Sequence, residues 1–325
     1  MIPAKIQSGD EIRVVSPATS LACIPEDVRQ IAHETLQSLG FEVTYGKNAA
    51  ECGLFNSSTV ASRLEDLHQA FADPQVRGIL TTLGGYNSNQ LLQGLDYELI
   101  RANPKVFCGY SDITALSNAI YAKTGLVTYS GPHFSTFGMR RGLDYTLTMF
   151  RHCLMQDVPF PVLPSDQWSD DPWYLDQVNR TFESNPGFLI LNEGQAEGTL
   201  IGGNLCTLNL LQGTAFMPSM AGRIVLVEDD DESQPLTIDR DLQSLLHQPG
   251  FEGVRGLVIG RFQRGSHMTQ EMLTHIIRSK PELAKIPVLA DVDFGHTTPQ
   301  LTLPVGGSGR LVVEKDRASF TVLEH

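Results

Sequence analysis

"KVFCGYSDITALSNAIYAKTGLVTYSGP", residues 105–132, decides the fold. An apolar run through Cys108 stops at Gly109, "SNAIYAKTG" reads as a short helix, and "LVTYSGP" is the next apolar stretch. A strand, a helix and a second strand in this compass predict parallel strands joined by a crossover helix. The hinge Gly109-Tyr110-Ser111-Asp112 has two readings. Ser111 is either a helix N-cap, accepting from the free N–H groups of the first turn, or a nucleophile held on a tight strand-to-helix turn.

The same alternation runs outward in both directions. Upstream, "IRVVSP" (12–17) is a short strand, and "EDVRQIAHETLQSLG" (26–40) has helical spacing with Gly40 as its stop. "FEVTYG", the helix "TVASRLEDLHQAFADP" and the strand "VRGILTTLGG" (76–85) follow. The N-terminal half, residues 1–160, is therefore expected to be an open, mostly parallel sheet with helices on both faces. Its ligands should lie beyond the carboxyl ends of the strands.

After a helix near 144–156 the character changes. "PFPVLPSDQWSDDPWYLDQVNRTFESNPG" (159–187) carries both tryptophans and little apolar periodicity. Residues 161–197 read as a long loop joining two domains, and loops of that length usually bind or cover something. Residues 198–325 resume αβ order with "GRIVLVE" (222–228), "TIDRDLQSLLHQPG", "VRGLVIGRF" (254–262) and "IPVLADVDFGH" (286–296). The last stretch, from "LTLPVGG", alternates like a terminal hairpin. A smaller α/β domain with a mixed sheet and barrel-like strands is expected here.

Length and composition bound the function. At 325 residues two domains are expected. A composition 41% hydrophobic and 19% charged is that of an ordinary globular chain, and the net charge of −13 argues against nucleic acid as a partner. No run approaches a membrane span and no secretory leader is evident, so a cytoplasmic protein without membrane contact is expected. The five cysteines are scattered without a C-x-x-C pair; Cys108 and Cys206, in apolar context, read as reduced small hydrophobes.

A serine hydrolase needs a base and a carboxylate to orient it. Two of the nine histidines stand out. His133 follows a strand end and could line the same crevice as Ser111; His296 follows a buried strand through a glycine that lets the backbone approach closely, and is also readable as a turn residue. For the carboxylate, Glu228 ends the apolar run "RIVLV", where burial is costly without a partner. The neighbouring Asp229, Asp230, Asp231 and Glu232 read as a solvated acidic turn. Gly84-Gly85 and Gly202-Gly203 each follow an apolar run, but neither has a nucleotide-loop spacing. Backbone N–H groups at Gly85 and Asp112 would suit an oxyanion hole.

Taken together, "GYSDIT", "LIGGNLCTL", "VLVEDDDE", "IDRDL", "GLVIGRF" and "DFGHTTPQLTLPVG" resemble the LD-carboxypeptidase family of serine peptidases, in the right order and over most of the chain. The resemblance implies a catalytic triad of Ser111, Glu228 and His296, oxyanion donors at Gly85 and Asp112, no metal or cofactor, and a homodimer. Two branches matter. Murein-recycling members remove a terminal D-alanine from a tetrapeptide. Microcin C immunity proteins cleave the amide of an aminoacyl-nucleotide, a mimic of an aminoacyl-adenylate. The "LVTYSGPHFSTFG" stretch and the tryptophan-bearing loop look more like the immunity branch. There a loop aromatic stacks on the nucleobase, a role that falls first to Trp173 and second to Trp168. Asn204 matches a substrate-contacting asparagine. The acidic 229–232 stretch departs from immunity proteins that carry a basic residue there for a phosphate. The expectation is a serine amidase of the immunity type, with murein carboxypeptidase as its rival and a non-catalytic two-domain binding module as the rival of another class.

Overall fold

The computed structural model describes all of residues 1–325. The first half supplies β1 (Glu11–Val15), α1 (Glu26–Ser38), β2 (Glu42–Tyr45), α2 (Val60–Ala72), β3 (Val76–Thr81), α3 (Tyr97–Ala102), β4 (Val106–Cys108), α4 (Thr114–Thr124), β5 (Thr128–Ser130) and α5 (Asp144–Met155). The second supplies β6 (Phe160–Val162), β7 (Gln167–Trp168), β8 (Glu183–Ser184), β9 (Leu189–Asn192), β10 (Gly194–Asn204), α6 (Leu205–Asn209), β11 (Arg223–Glu228) and α7 (Pro235–Leu246). It closes with β12 (Gly256–Gly260), α8 (Gln270–Arg278), β13 (Val288–Val292), β14 (Leu303–Val305), β15 (Ser308–Val313) and β16 (Ala318–Glu324). No helix is long and apolar enough to cross a membrane.

The first sheet has the order β14-β5-β4-β3-β1-β2, parallel except for β14. Order reverses between β1 and β3, which opens a crevice above their carboxyl ends where open α/β sheets bind ligands. The inner strands β3, β4 and β5 are buried on both faces, which is why they read as unbroken apolar runs and not as alternation. The second sheet runs β6-β16-β15-β10-β11-β12-β13-β9, with a parallel centre and antiparallel flanks. Its end strands β6 and β9 do not pair, so the sheet stays open and the barrel-like expectation gives way to a mixed sheet.

Two further expectations change. The segment read as a loop carries β9 and the start of β10: "LILN" (189–192) covers the free edge of β13, and that pairing lies almost a hundred residues away in sequence. "LTLPV" is no part of the terminal hairpin, which β15 and β16 form. It returns to the first sheet as β14, and Pro304 is tolerated there because β14 is an edge strand.

The two sheets are locked through α4. Its helix is buried nearly all round, so its apolar residues form no single stripe. Asn118 Nδ2 donates to Gly202 O at 2.9 Å, and Gly202 N–H donates back to Asn118 Oδ1 at 3.0 Å. Asn204 N–H donates to Thr114 Oγ1 at 3.0 Å. A fully buried amide with both ends satisfied fixes register as well as position. One apolar core runs continuously from Phe107 and Leu116 of the first half to Leu205, Leu208 and Ile259 of the second.

Candidate active site

The site is built where three strand ends from two sheets meet. Ser111 follows β4 at the start of a 3-10 turn that leads into α4, and its φ is +58°. A left-handed conformation costs a β-carbon residue about 1–2 kcal/mol, and such strain is usually retained where a side chain must be aimed. The turn lifts the hydroxyl above the sheet edge. Gly84 makes room for it: a Cβ there would stand 2.9 Å from Ser111 Oγ. Gly85, at φ +154°, rests against Ala18 and Thr19 in the same way, at 3.1 and 2.8 Å.

Glu228 ends β11, opposite Asn204 at the end of β10. It is 2% exposed. Glycines frame it: a Cβ on Gly260 would meet Glu228 Cβ at 2.7 Å, and one on Gly295 would meet Oε2 at 2.4 Å. His296 follows β13 through Gly295, whose φ is +104°. Its Nδ1–H donates to Glu228 Oε2 at 2.7 Å, which leaves Nε2 to accept from the Ser111 hydroxyl at 3.1 Å. Burial works against the imidazolium, but Glu228, Asp230 and Asp229 outweigh it and the ring is pushed up to about 9.

The N–H of Gly85 has no acceptor within the protein. That of Asp112 belongs to a first helical turn, where donors lack intrahelical partners. The Asp112 carboxylate points the other way, accepting from Ser88 N–H at 2.8 Å.

His133 is brought beside this group but not into it. Its Nδ1 shares a hydrogen bond with Thr81 Oγ1 at 2.8 Å, its Nε2 is buried without a partner, and its ring lies 4.2 Å from Tyr110. Burial, then the charge of His296, push it down to about 3. A ring held neutral with no carboxylate is a poor general base. Asn204 caps α6 through Oδ1, accepting from Thr207 N–H at 3.1 Å, and its Nδ2 donates to Asp229 Oδ1 at 3.2 Å. One amide hydrogen remains free.

The acidic turn differs from expectation. Asp229 is completely buried, accepts from Asn204 Nδ2 and Cys206 N–H, and is pushed up to about 6 by burial and then by Glu228 and Asp230. A run of four acids does not reveal which one turns inward. Cys206 is exposed and donates its thiol to Asn204 Oδ1, so it is no core residue.

The tryptophan loop is tied to the site. Ser169 and Thr298 exchange N–H···O bonds of 2.7 and 2.9 Å, two residues beyond His296. Trp168 pairs with Glu183 and lies beneath the guanidinium groups of Arg261 and Arg264, at 4.9 and 5.1 Å. Trp173 is half-buried against the core with its ring edge-on to Tyr174. Across the cleft, exposed Tyr86 donates to Glu232 at 2.6 Å; nothing in the local sequence signalled that link between the halves. A recess of about 500 Å³ lined by Lys5, Arg77 and Lys105 lies at the opposite, amino-terminal edge of the first sheet, away from all of these groups. No cluster of His, Cys, Asp and Glu is disposed to hold a metal ion.

Known proteins resemble the chain over both halves. Residues 12–131 match the LD-carboxypeptidase N-terminal domain and residues 197–311 the LD-carboxypeptidase C-terminal domain. The chain is 55% identical to the putative carboxypeptidase YocD of Bacillus subtilis, over 96% of each chain. It is 32% identical to the microcin C7 self-immunity protein MccF of Escherichia coli, over 100% of this chain and 96% of that protein. The crystal structure of an MccF-like protein from Bacillus anthracis superposes with a TM-score of 0.99 at 54% identity, over the whole of both chains. The structure of MccF in complex with glutamyl sulfamoyl guanosine superposes with a TM-score of 0.89 at 32% identity, over 99% and 98% of the two chains.

Proposed function

The chain belongs to the LD-carboxypeptidase family of serine peptidases, and on that premise we propose that it hydrolyses an amide bond through Ser111, His296 and Glu228. The observation that carries the proposal is the pair of bonds at His296, 2.7 Å to a buried carboxylate and 3.1 Å to a strained serine. Ser111 Oγ attacks the carbonyl carbon while His296 Nε2 takes its proton, and Glu228 stabilises the imidazolium that forms. The N–H groups of Gly85 and Asp112 hold the negative oxygen. The leaving amine takes the proton from His296, and water then hydrolyses the acyl-enzyme by the same route.

For the substrate we favour an aminoacyl-nucleotide amide of the immunity type. MccF, bound to glutamyl sulfamoyl guanosine, shares the fold, and Trp173 stands on a loop registered to His296. Trp173 then stacks on the base, with Trp168 held back by its two arginines, and the free amide hydrogen of Asn204 serves the substrate. A second reading, release of D-alanine from a murein tetrapeptide, draws on the acidic 229–232 turn, which offers no cation to a phosphate. Both readings place the protein in the cytoplasm as a homodimer, which sedimentation of the purified chain checks. The deciding experiment compares hydrolysis of an aminoacyl-sulfamoyl adenosine with that of an L,D-tetrapeptide. A clear preference in kcat/KM for the nucleotide substrate supports the first reading. The reverse preference replaces it with the second.

A further inference from the structure

Cys23 ends a short 3-10 turn after β1, and Cys52 lies in the loop before α2. Both are exposed, and their sulfurs are 3.8 Å apart. The chain around them is already in register. Ser20 N–H donates to Asn56 O at 2.7 Å, Leu21 N–H to Ala49 O at 2.9 Å, and Ser16 Oγ–H to Ala49 O at 2.7 Å. Two thiols in contact, on segments that backbone hydrogen bonds already hold together, are placed to form a disulfide, whose bonded sulfurs are about 2.05 Å apart. The other cysteines are poorly placed to compete. Cys108 and Cys153 are buried, and Cys206 is tied to Asn204 with its thiol pushed up by burial and then Asp229.

We propose that Cys23 and Cys52 form a dithiol that closes reversibly to a disulfide on reaction with a low-molecular-weight disulfide such as oxidised glutathione. One protein thiolate attacks the small disulfide, breaking its S–S bond and releasing one small thiol, which takes up a proton. The second protein thiolate attacks the mixed disulfide and releases the other. Two protein S–H bonds and one small-molecule S–S bond are thus exchanged for one protein S–S bond and two small-molecule S–H bonds.

The clamp lies behind the reaction centre. Just outside the closed loop, four residues before Cys23, Thr19 N–H donates to Gly84 O at 3.1 Å and its carbonyl accepts from Thr82 Oγ1 at 2.8 Å. At the far side of the 49–57 loop, Ser57 Oγ accepts from Asn87 Nδ2 at 2.7 Å. The wall supporting Gly84-Gly85 is therefore stapled in the position it already holds. The bond stiffens that wall without displacing the donors.

The test incubates the full chain with oxidised glutathione and reads the intact mass without reduction. The expected product has lost about 2 Da, reversibly with dithiothreitol, and its peptide map links Cys23 to Cys52. Cys23→Ser and Cys52→Ser each abolish the loss. The oxidised protein should melt several degrees higher, as expected for closing a loop of this length, with kcat/KM unchanged within about threefold. Stable glutathione adducts, disulfide-linked dimers or an unaltered mass would each overturn the proposal. So would a tenfold fall in kcat/KM of the 2-Da-lighter form, because the staple would then displace the wall.

Discussion

Two histidines flank the same serine and have opposite chemistry. His296, from the second half, faces a buried carboxylate and is pushed up to about 9. His133, from the first half, faces a threonine hydroxyl and an aromatic ring and is pushed down to about 3. His133 is fully buried and His296 largely so, and burial alone lowers a histidine. A carboxylate partner decides the outcome: with Glu228 the ring can accept a proton and keep it, whereas His133, with no carboxylate and the charge of His296 nearby, stays neutral. The base of a hydrolase must be paired, and only one of these is.

The comparison rests on Ser111 being the shared neighbour that reacts. Ser111→Ala should lower kcat by at least about 10⁴-fold with the far-UV spectrum and melting point retained, because the members of such a triad act as a unit. Single-turnover measurements check it, and activity that survives would break the whole assignment. Next comes the exchange of each ring. His296→Gln should cost about 10³-fold or more in kcat, and His133→Gln less than about tenfold. Equal losses would erase the distinction drawn between them.

The loop gives a smaller effect that separates substrates. Trp173→Ala should raise KM for an aminoacyl-sulfamoyl nucleoside by roughly five- to a hundred-fold, the worth of one base–aromatic stack, and leave an L,D-peptide nearly unaffected. Equal losses on both substrates would reduce Trp173 to a loop anchor, the part Trp168 already plays with Arg261 and Arg264.

The smallest effect is also the most direct measure of partnership. As a base, His296 must be unprotonated, so kcat/KM of the free enzyme should rise with pH and level off near the value to which the ring is raised, about 9. Glu228→Gln removes the chief group raising it, so the acid limb should move to lower pH by about a unit or more while the plateau falls. Stability carries opposite signs for the two rings. His296, raised on folding, contributes stability that is fully present below its unfolded value near 6.5 and is lost as pH climbs through about 9. His133, lowered on folding, opposes the folded state increasingly as pH falls from about 6.5 toward 3. Urea titrations of His133→Gln against the parent should therefore converge above pH 7 and part in mild acid.

Much of this was legible in the residues. Ser111 was visible because an apolar run, a glycine and a helix specify a turn locally, and Glu228 because an acid ending a buried strand demands a partner. His296 and His133 stood side by side in the residues alone, and the resemblance to the LD-carboxypeptidase family chose between them. Asp229 was hidden, since four successive acids look alike until the chain is folded. The pairing of "LTLPV" with β5 was hidden too, because it depends on a partner some 170 residues away. Thr81, which holds the His133 ring through a hydrogen bond, is an ordinary strand residue until its neighbour arrives.

The returning strand bears on how the protein can be taken apart. β14 lies late in the chain but finishes the first sheet, while β6 precedes most of the second sheet and finishes that one. The first sheet therefore takes its border from the end of the chain, and the second takes one of its borders from the segment just after α5. A fragment ending at residue 196 would keep β5 with a bare row of N–H and C=O groups, and one beginning at 197 would leave β16 bare in the same way. Such open rows recruit other chains. Separately expressed halves should clump and fail to complement one another, and a viable circular permutant would need its new ends elsewhere, away from both exchanged strands.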